Sequence, residues 1–296
     1  MNGIINIYKE KGYTSHDVVN IVRGLTRCKA GHTGTLDPDA EGVLPVCIGR
    51  ATKIADYIMA DDKEYIATVI LGTATDTQDA SGEALEQKPF FGDLSKVYDV
   101  IQDFIGQIQQ IPPMYSAIKV GGKKLYEYAR EGKIVGRKAR QVTIHSIEVL
   151  EANLPASFKI CVNCSKGTYI RTLCADLGVA LGAAAHMGDL LRTRSGSFDI
   201  TNAVKLADLR EIVARDEIDR IVIPTEAALS HFPRISISSG ADKWLKNGNK
   251  IPLAFVQADI ALSDSVEYLT YNAMGDLAGI FVLSDTDWVK PKVMLL

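Results

Sequence analysis

The segment EYIATVIL, residues 64–71, alternates between two sets of side chains and is followed by a glycine. Successive side chains of an extended strand point to opposite faces, so every second residue from Tyr65 to Leu71 would share one face. The alternation therefore predicts a β-strand that Gly72 ends, with this apolar face turned towards a core.

Other strands and helices are predicted on both sides of this segment. The same alternation predicts strands over 142–150 and 158–165. Apolar residues at helical spacing predict helices over 16–28, 97–105 and 169–182, and the Pro112-Pro113 step should end the second of them. These elements show no regular βαβ order, no Rossmann or Walker A glycine motif and no internal repeat. We therefore expect an α+β fold around a mixed, largely antiparallel sheet.

The composition changes near Ser230-His231-Phe232-Pro233. Beyond this point turn residues separate five short strand-like runs, which are 234–237, 251–256, 266–271, 277–284 and 288–295. We expect one large domain over residues 1–230 and a small β-rich domain over 231–296. A module of about 65 residues is near the lower limit for independent stability, so we expect it to dock on the larger domain.

The overall composition is that of an ordinary globular protein. The chain has 296 residues, of which 47% are hydrophobic and 23% are charged, and no apolar run reaches membrane-spanning length. The N-terminus has no signal-peptide pattern, so we expect a cytoplasmic protein. The five cysteines are scattered, and the Cys161/Cys164 pair has no second pair or histidine cluster to complete a metal site.

A strongly basic segment interrupts a weakly acidic chain. Residues 119–140, called the basic segment below, contain eight Lys or Arg and two Glu, so they carry +6 in a protein of net charge −3. Tyr126, Tyr128 and the Gly121-Gly122 pair lie among these cations. Such a mixture suits an element that grips a nucleic-acid backbone, while a solvated charged face is the alternative.

The loop GHTGTLDP, residues 31–38, constrains a carboxylate. Pro38 disfavours helical backbone at Asp37, and Gly31 and Gly34 permit close approach or left-handed geometry. One interpretation is a simple turn in which Asp37 accepts a hydrogen bond from a nearby backbone amide. The other is a carboxylate that is fixed for chemistry.

A second unusual residue is Arg171, in the sequence KGTYIR of residues 166–171. It falls in the first turn of the helix predicted over 169–182, where a cation opposes the helix dipole. An acidic partner should compensate it. This partner is either a surface acid, Asp176 or Glu151, or a buried carboxylate that the guanidinium binds through two parallel hydrogen bonds.

Four stretches resemble, in order, motifs of the tRNA pseudouridine synthase B (TruB) family; they are Gly31–Lys53, Lys63–Gly82, Pro112–Gly132 and Lys166–Gly178. The resemblance runs from about residue 2 to residue 210 and implies the pseudouridine synthase fold. It also implies an RNA-gripping insertion over about 112–141, while residues 231–296 are weakly similar to a PUA-like RNA-binding domain. One departure is Glu10, since the family's N-terminal motif has proline after the lysine that corresponds to Lys9. This change puts the local packing in question.

The resemblance implies roles for individual residues. Asp37 matches the family's essential aspartate, Arg171 matches the arginine that pairs with it, and Tyr65 matches the tyrosine that stacks on the target base. The residues expected to bind the substrate are His32, Tyr169, Leu190, Lys9, Lys123 and Lys124. Taken alone, each has a structural interpretation, such as a core position for Tyr65 and Leu190.

The activity that the resemblance implies is isomerisation of uridine to pseudouridine at position 55, in the T-loop of tRNA. This reaction changes no oxidation state and loses no group, so we expect no cofactor and no metal. We expect the T-arm of tRNA as partner, no guide RNA, no membrane and a monomer. Whether Asp37 attacks C6, attacks C1′ or supports a glycal route stays open.

The base that removes the C5 proton is also open, since an unperturbed tyrosine has a pKa of about 10 and is a poor base at neutral pH. The rival from another class is a non-catalytic tRNA-binding or tRNA-folding module, for which the basic segment and the C-terminal module would suffice. A glycosidase is a weaker rival, because no second catalytic carboxylate has an assignable partner in the sequence.

Overall fold

The structure is a computed structural model that describes residues 1–285 and 287–296. Residues 1–230 form, in chain order, β1 (Gly3–Lys9), α1 (Ser15–Thr26), β2 (Ala30–His32), β3 (Glu41–Ile48), α2 (Ala55–Met59), β4 (Lys63–Thr75), β5 (Ala84–Lys88), α3 (Leu94–Gln102), β6 (Gly106–Gln110), β7 (Lys119–Val120), β8 (Lys123–Lys124), α4 (Leu125–Arg130), β9 (Arg140–Asn153), β10 (Ser157–Cys164), α5 (Ile170–Ala180), β11 (Ala185–Ser195), β12 (Phe198–Asp199), β13 (Val204–Lys205), α6 (Leu206–Ala214), β14 (Val222–Ile223) and α7 (Thr225–Ala228).

Residues 231–296 form a second series: β15 (Arg234–Ile237), α8 (Asp242–Lys246), β16 (Ile251–Pro252), β17 (Val256–Ala258), β18 (Glu267–Tyr271), β19 (Leu277–Ser284) and β20 (Trp288–Met294). Short 3-10 helices occupy Gly49–Ile54, Ile200–Asn202, Ile218–Arg220, Ser239–Ala241 and Leu253–Phe255. In the described part of the chain, no helix is both long enough and apolar enough to cross a membrane.

The large sheet has the hydrogen-bonded order β13-β1-β3-β11-β4-β10-β9-β6, with β2, β5, β12 and β14 paired beside this path. Along the path, β13–β1 and β3–β11 are parallel pairs, and the other neighbours are antiparallel. The prediction of a mixed, largely antiparallel sheet is therefore confirmed.

The strand predicted over 64–71 is confirmed, but its end is wrong. Ala67, Val69 and Leu71 are buried on the predicted face. The strand β4 continues through Gly72 to Thr75, because Gly72 pairs with Lys88 of β5 and the two strands form a hairpin. The glycine therefore lies within the hairpin and does not end the strand.

The first predicted helix is confirmed as α1, which begins after the N-cap Thr14. The Thr14 side chain accepts a hydrogen bond from the Asp17 backbone N–H, and Asp17 bonds back to the Thr14 backbone N–H, which forms a capping box. The helix ends at Thr26, and Arg27 takes left-handed backbone at φ +53°. Local sequence therefore sets both ends of this helix.

The second predicted helix is also present, but its predicted end is wrong. Helix α3 stops at Gln102, and the strand β6 separates it from Pro112-Pro113. Strand β6 pairs with β9, more than 30 residues later, from Gly106 to Gln110. Such long-range pairing leaves little local signal in the sequence.

Three strands of the large sheet, β1, β3 and β11, were not predicted. Every residue of β1 except Tyr8 is buried, and so is every residue of β3 except Glu41. Strands covered on both faces carry continuous apolar runs without alternation, and such runs do not distinguish a strand from a buried helix.

The main core lies between the large sheet and helices α1, α3, α5 and α6. A second core lies against β1 and β3 and includes Ile54, Ile58 and Leu229. From the C-terminal module, Leu269 and Leu295 pack into this same core. The module is therefore docked on the large sheet through shared apolar contacts.

The C-terminal sheet has the order β16-β20-β19-β18-β15-β17 and encloses a core of its own. Four of its five predicted strands are confirmed to within one residue. The fifth, predicted over 251–256, is wrong: a 3-10 helix at Leu253–Phe255 separates β16 from β17. Two cations cross to this sheet, since Arg50 Nη1 donates to Leu295 O at 3.0 Å and Lys53 Nζ donates to Met294 O at 2.7 Å. The division at residue 230 stays a prediction.

The contact between β3 and β11 generates a prediction about stability. Gly42 has φ +107°, and a Cβ atom there would lie 2.1 Å from the carbonyl oxygen of Arg192, its partner in the parallel pair. We expect Gly42→Ala to lower the free energy of unfolding by about 2–4 kcal/mol, from backbone strain and overpacking. Urea denaturation would measure the change.

The matched control is Gly24→Ala, on the exposed face of α1, where a Cβ would meet nothing within 4 Å. This change should leave the free energy of unfolding unchanged or raise it by up to about 1 kcal/mol, because alanine favours helix. Equal losses in the two variants would contradict the close approach at Gly42.

Candidate active site

An open cavity of about 670 Å³ lies where two loops meet the start of α5, the strand β11 and residues of the predicted insertion. The residues that line it are Lys11, Asp37, Pro38, Asp39, Ala40, Ile70, Thr77, Asp79, Ala80, Ser81, Tyr115, Arg130, Arg171, Met187, Gly188, Asp189 and Leu190. Three of the predicted site residues, Asp37, Arg171 and Leu190, therefore share one cavity.

The loop that carries Asp37 is held from the side of α1. The Ser15 hydroxyl accepts from the Leu36 backbone N–H at 2.8 Å and lies 3.0 Å from the Leu36 carbonyl oxygen, to which it donates. The side chain of Leu36 is itself buried in the main core. Asp37 O accepts from Ala40 N at 3.1 Å, which closes a tight turn around Pro38. These contacts form the turn of the first interpretation. They also hold the backbone of Asp37 in place, as the second interpretation requires.

Lys9 binds the backbone of the same loop, and its contact with the substrate stays a prediction. The residue is 0% exposed. Its ammonium donates to the carbonyl oxygens of Ala40 at 2.6 Å, Pro38 at 3.1 Å and Glu10 at 3.2 Å. These carbonyls occupy all three donors, so Lys9 positions the loop. Burial lowers the pKa of Lys9 to about 8.

Arg171 binds Asp37 through two parallel contacts. Arg171 Nε lies 3.1 Å from Asp37 Oδ2, and Arg171 Nη2 lies 3.3 Å from Asp37 Oδ1. The side chain of Arg171 is 7% exposed, whereas that of Asp37 is 39% exposed and opens into the cavity. The sequence left open whether Arg171 pairs with a surface acid or with a buried carboxylate. In the structure its partner is Asp37, at the wall of the cavity.

Other acceptors occupy the remaining donors of Arg171. Nη1 lies 3.4 Å from Asp79 Oδ2 and 3.4 Å from Thr77 O, and Nη2 donates to Tyr115 O at 2.9 Å. The sequence analysis missed Asp79, although it lies within the second family-like motif. It is a second carboxylate with a clear partner, which corrects the expectation that none exists.

The two carboxylates have opposite pKa shifts. Burial raises the pKa of Asp37, and the charge of Arg171 only partly offsets it. The pKa of Asp79 is lowered: burial acts to raise it, but hydrogen bonds from Ser81 and Thr77, together with Arg171, outweigh the burial. Arg171 therefore favours the ionised form of Asp37, although the net pKa shift is upwards.

Tyr65 lies beside the cavity wall, on the sheet face that also carries Leu190. In the antiparallel pairing of β4 with β11, Leu190 lies opposite Ala67, and Arg192 lies opposite Tyr65, two residues along. Burial raises the pKa of Tyr65, while the nearby Arg192 lowers it only in part. The phenol is therefore protonated at neutral pH and is unsuited to remove a proton.

Arg192 is a second residue that the sequence analysis missed. It is almost fully buried, and it donates from Nε to Val43 O at 2.7 Å and from Nη2 to Gly34 O at 3.1 Å. It therefore ties β11 to both ends of the segment that carries Asp37. No local sequence signal indicated Arg192, because it lies in β11, an inner strand of the large sheet that the sequence analysis did not predict.

Two further predicted residues lie outside the cavity lining. Tyr169 is the N-cap of α5, and the buried amide of Gln110 bonds to both its backbone N–H (2.8 Å) and its carbonyl (3.0 Å). His32 ends β2, and its Nδ1 accepts from Gly34 N at 3.3 Å, so its neutral form carries the proton on Nε2. Burial, followed by the charge of Arg192, lowers the pKa of His32.

The basic segment folds into the β7–β8 hairpin, helix α4 and an extended stretch. Lys123 forms an ion pair with Glu131, and Lys124 Nζ lies 5.4 Å from the centre of the Tyr126 ring. Lys123 is therefore partly neutralised within the protein. Contact of Lys123 and Lys124 with a substrate stays a prediction.

This arrangement offers one carboxylate, held in fixed geometry by a buried guanidinium, at the wall of a cavity large enough for a small organic group. A fixed carboxylate of this kind can act as a nucleophile or stabilise developing positive charge. Within residues 1–285 and 287–296, no three His, Cys, Asp or Glu side chains cluster as metal ligands do.

Two family models match the chain. Residues 22–170 match the N-terminal domain of TruB family pseudouridylate synthases, and residues 171–230 match the C-terminal domain of tRNA pseudouridylate synthase B. The boundary between these models falls between Ile170 and Arg171, inside α5. The two matches together include every residue of the cavity lining except Lys11.

Curated relatives match over most of their length. Proteins named tRNA pseudouridine synthase B are 49% identical in Clostridium tetani (85% of this chain, 86% of the relative) and 44% identical in Bacillus pumilus (90% and 88%). The relative of the same name from Halalkalibacterium halodurans is 42% identical over 100% of this chain and 98% of its own length.

Solved structures share the fold. A chain in a Cbf5-Nop10-Gar1 complex matches with a TM-score of 0.76 and 28% identity, covering 99% of this chain and 85% of that chain. A chain in an H/ACA RNP bound to a substrate RNA containing 2′-deoxyuridine matches with a TM-score of 0.74 and 25% identity, covering 99% and 85%. The chain thus has the pseudouridine synthase fold and belongs to the TruB family of pseudouridylate synthases.

Proposed function

We propose that this protein isomerises uridine to pseudouridine in tRNA, at position 55 of the T-loop. The observation that carries the proposal is the bidentate pair of Arg171 and Asp37 at the wall of an open cavity. Relatives of 42–49% identity that are named tRNA pseudouridine synthase B support tRNA as the substrate. The position within the tRNA rests on the resemblance of the four sequence motifs.

The reaction breaks the N1–C1′ bond of uridine and forms a C5–C1′ bond. The carbon C5 loses a proton and N1 gains one, so the product is an isomer and no electrons are gained or lost. The protein must therefore supply a nucleophile or charge stabiliser and a route for one proton. Asp37 is suited to the first task as its carboxylate.

Arg171 would position Asp37 and limit the rise of its pKa, because an opposite charge favours the ionised form. Attack of Asp37 on C6, attack on C1′ and support of a glycal route are all compatible with this geometry. Tyr65 would act as a stacking surface, and its raised pKa favours the neutral phenol; the base for the C5 proton stays open.

A base inside a folded RNA loop must be extruded before it can enter the cavity. Extrusion costs a few kcal/mol, and stacking on an aromatic ring such as Tyr65 returns about 1–3 kcal/mol. Leu190 would form an apolar wall for the extruded uracil. His32 and Tyr169, which lie just outside the cavity, would contact the neighbouring parts of the RNA.

The wider RNA contacts would come from the predicted insertion, about residues 112–141, and from the domain predicted over 231–296, for which we keep the PUA-like assignment. A monomer without guide RNA suffices for this proposal, because one chain supplies Asp37, Arg171 and the whole cavity. Action on tRNA would place the protein in the cytoplasm.

A non-catalytic tRNA-binding module is the alternative function, and the basic segment favours it. The cavity argues against it. Two carboxylates, Asp37 and Asp79, face a site that would receive a polyanion, and they would repel RNA without a chemical role. Catalysis accounts for their presence, whereas binding alone does not.

Asp37→Asn tests the proposed chemistry. The amide is nearly isosteric with the carboxylate but has neither its charge nor its nucleophilicity, so we expect the single-turnover rate to fall by more than about 1000-fold. Pseudouridine mapping on an unmodified tRNA transcript would measure the rate. Tight binding of the same tRNA by the variant would show that only the chemistry is lost.

The matched control is Asp176→Asn, on the same helix as Arg171. Asp176 has no ion-pair partner within 4 Å in the described chain and does not line the cavity. Its variant should keep the wild-type rate. Residual turnover of Asp37→Asn within tenfold of wild type would exclude Asp37 as the essential carboxylate.

Arg171 variants test the pKa of Asp37. Removal of the guanidinium in Arg171→Gln leaves burial unopposed, so the pKa of Asp37 should rise further above its usual value. The acidic limb of the kcat/KM profile, which reports the free enzyme, should then move to higher pH, and the plateau should fall by about 100-fold.

Arg171→Lys keeps the charge but cannot form two parallel N–H contacts. Its acidic limb should move less than that of Arg171→Gln, while its plateau should stay well below that of wild type. An Arg171→Gln limb at the wild-type pH would disprove the electrostatic coupling. Full activity of Arg171→Lys would disprove the need for bidentate geometry.

Salt dependence tests the basic segment. Three of its cations are exposed and, among the described residues, have no carboxylate within 4 Å; these are Lys119, Lys138 and Arg140. Their joint replacement by Gln should make the slope of log affinity against log salt shallower by about two, since each lost phosphate contact removes about 0.7–0.9. Filter binding of tRNA at several salt concentrations would measure it.

The control carries the same charge change on another surface, with Gln at the exposed residues Lys29, Lys88 and Lys96. Its slope should equal that of wild type. If both triple variants change the slope equally, the basic segment is only a solvated charged face.

A further inference from the structure

We propose that Arg130 and Lys11 form a phosphate-binding subsite at the mouth of the cavity, for the phosphates that flank the extruded uridine. The inference rests on the proposed function and deepens it, because it assigns two particular cations to the backbone of the reacting nucleotide. The remaining cations of the basic segment would contribute only general attraction.

The charges of the cavity wall point to these two residues. Among the described residues, seven charged side chains line the cavity: the carboxylates Asp37, Asp39, Asp79 and Asp189, and the cations Arg171, Arg130 and Lys11. Arg171 is fully engaged by Asp37, Asp79 and backbone carbonyls. A phosphate that enters this acidic cavity therefore has only Arg130 and Lys11 to neutralise it.

Arg130 is oriented without an ion pair. It ends α4, and its guanidinium lies 5.3 Å from the centre of the Tyr126 ring, one helical turn away, on which Lys124 also packs. Within the described residues no carboxylate approaches Arg130 within 4 Å. A cation–π contact of this kind uses none of the guanidinium N–H groups, so they stay available to hydrogen-bond a phosphate.

The position of Arg130 is coupled to the catalytic pair through short backbone contacts. Tyr126 N donates to Ser116 O at 3.1 Å, and the carbonyl of the preceding residue, Tyr115, accepts from Arg171 Nη2 at 2.9 Å. The buried side chain of Leu125 anchors the start of α4. A phosphate held by Arg130 would therefore lie at a fixed distance from Asp37.

Lys11 approaches from the N-terminal loop. Its only ion pair among described residues is with Asp189 at 3.6 Å, and both side chains are well exposed, at 56% and 86%. Such a pair contributes little to stability, so Lys11 can exchange Asp189 for a phosphate at small cost. The neighbouring Gly12 N donates to Pro38 O at 2.9 Å, which fixes this loop to the one that carries Asp37.

The test pairs a protein variant with a change in the RNA. The double variant Lys11→Gln/Arg130→Gln is assayed on a T-arm stem-loop, and on the same RNA with one neutral methylphosphonate on the 5′ or the 3′ side of the target uridine. On the all-phosphate RNA we expect kcat/KM to fall by about 10- to 100-fold, the range for loss of charge-assisted hydrogen bonds. On at least one neutral RNA the variant should lose less than about threefold, because its partner is already absent.

The matched control is Lys119→Gln/Lys138→Gln, which removes the same charge from the basic segment at residues that do not line the cavity. Its effect should be the same factor on all three RNAs. If the Lys11→Gln/Arg130→Gln factor is also the same on all three, the subsite does not exist and the two cations act only through general charge.

A second readout separates this inference from the proposed function. The same three RNAs and the same variants can be compared by Kd in place of turnover. Absence of pseudouridine with the wild-type protein would refute the proposed function, while non-additive Kd values would still support the subsite. If the variant and the neutral RNA change Kd by independent factors while wild-type turnover is normal, the subsite is refuted and the proposed function is not.

Discussion

The bidentate ion pair between Arg171 and Asp37 joins two residues that are 134 positions apart in sequence. Separate sets of contacts hold each of the two residues in place. Lys9, Ser15 and Arg192 fix the loop of Asp37 through its backbone carbonyls and amides. Asp79 and Tyr115 O engage the rest of the guanidinium. A buried guanidinium is stable only when all its donors are satisfied, so these contacts are mutually dependent.

Under the proposed function, the same contacts would keep a reactive carboxylate oriented next to a polyanionic substrate. Arg171 offsets part of the burial of Asp37, and Asp79, whose pKa is lowered, keeps a second negative charge on the far side of Arg171. The carboxylate therefore stays oriented while its open face meets the cavity. Under the proposed function, cations for the RNA backbone would come from the mouth of the cavity and from the basic segment, not from the pair of Arg171 and Asp37.

Much of the fold could be predicted where a segment has one buried and one open face. Strands β4 and β10, helices α1 and α5 and most strands of the C-terminal sheet carry such patterns. Strands β1 and β3 do not, because they are buried on both faces, and β6 owes its existence to pairing with β9 across the predicted insertion. For the site, the motifs indicated Asp37 and Arg171, but Asp79 and Arg192 were missed, and the burial of Lys9 beneath the loop was not foreseen.

The sequence by itself determined the local chemistry: a carboxylate before proline in a glycine-containing loop, an arginine in the first turn of a helix, and a cationic segment with interleaved tyrosines. Only the tertiary structure decided which acids Arg171 binds, that Lys9 is fully buried, and that the pKa of Asp37 rises where that of Asp79 falls. The physical reason is that Coulomb energy and desolvation depend on distances and burial. Chain folding sets these quantities between residues that are far apart in sequence.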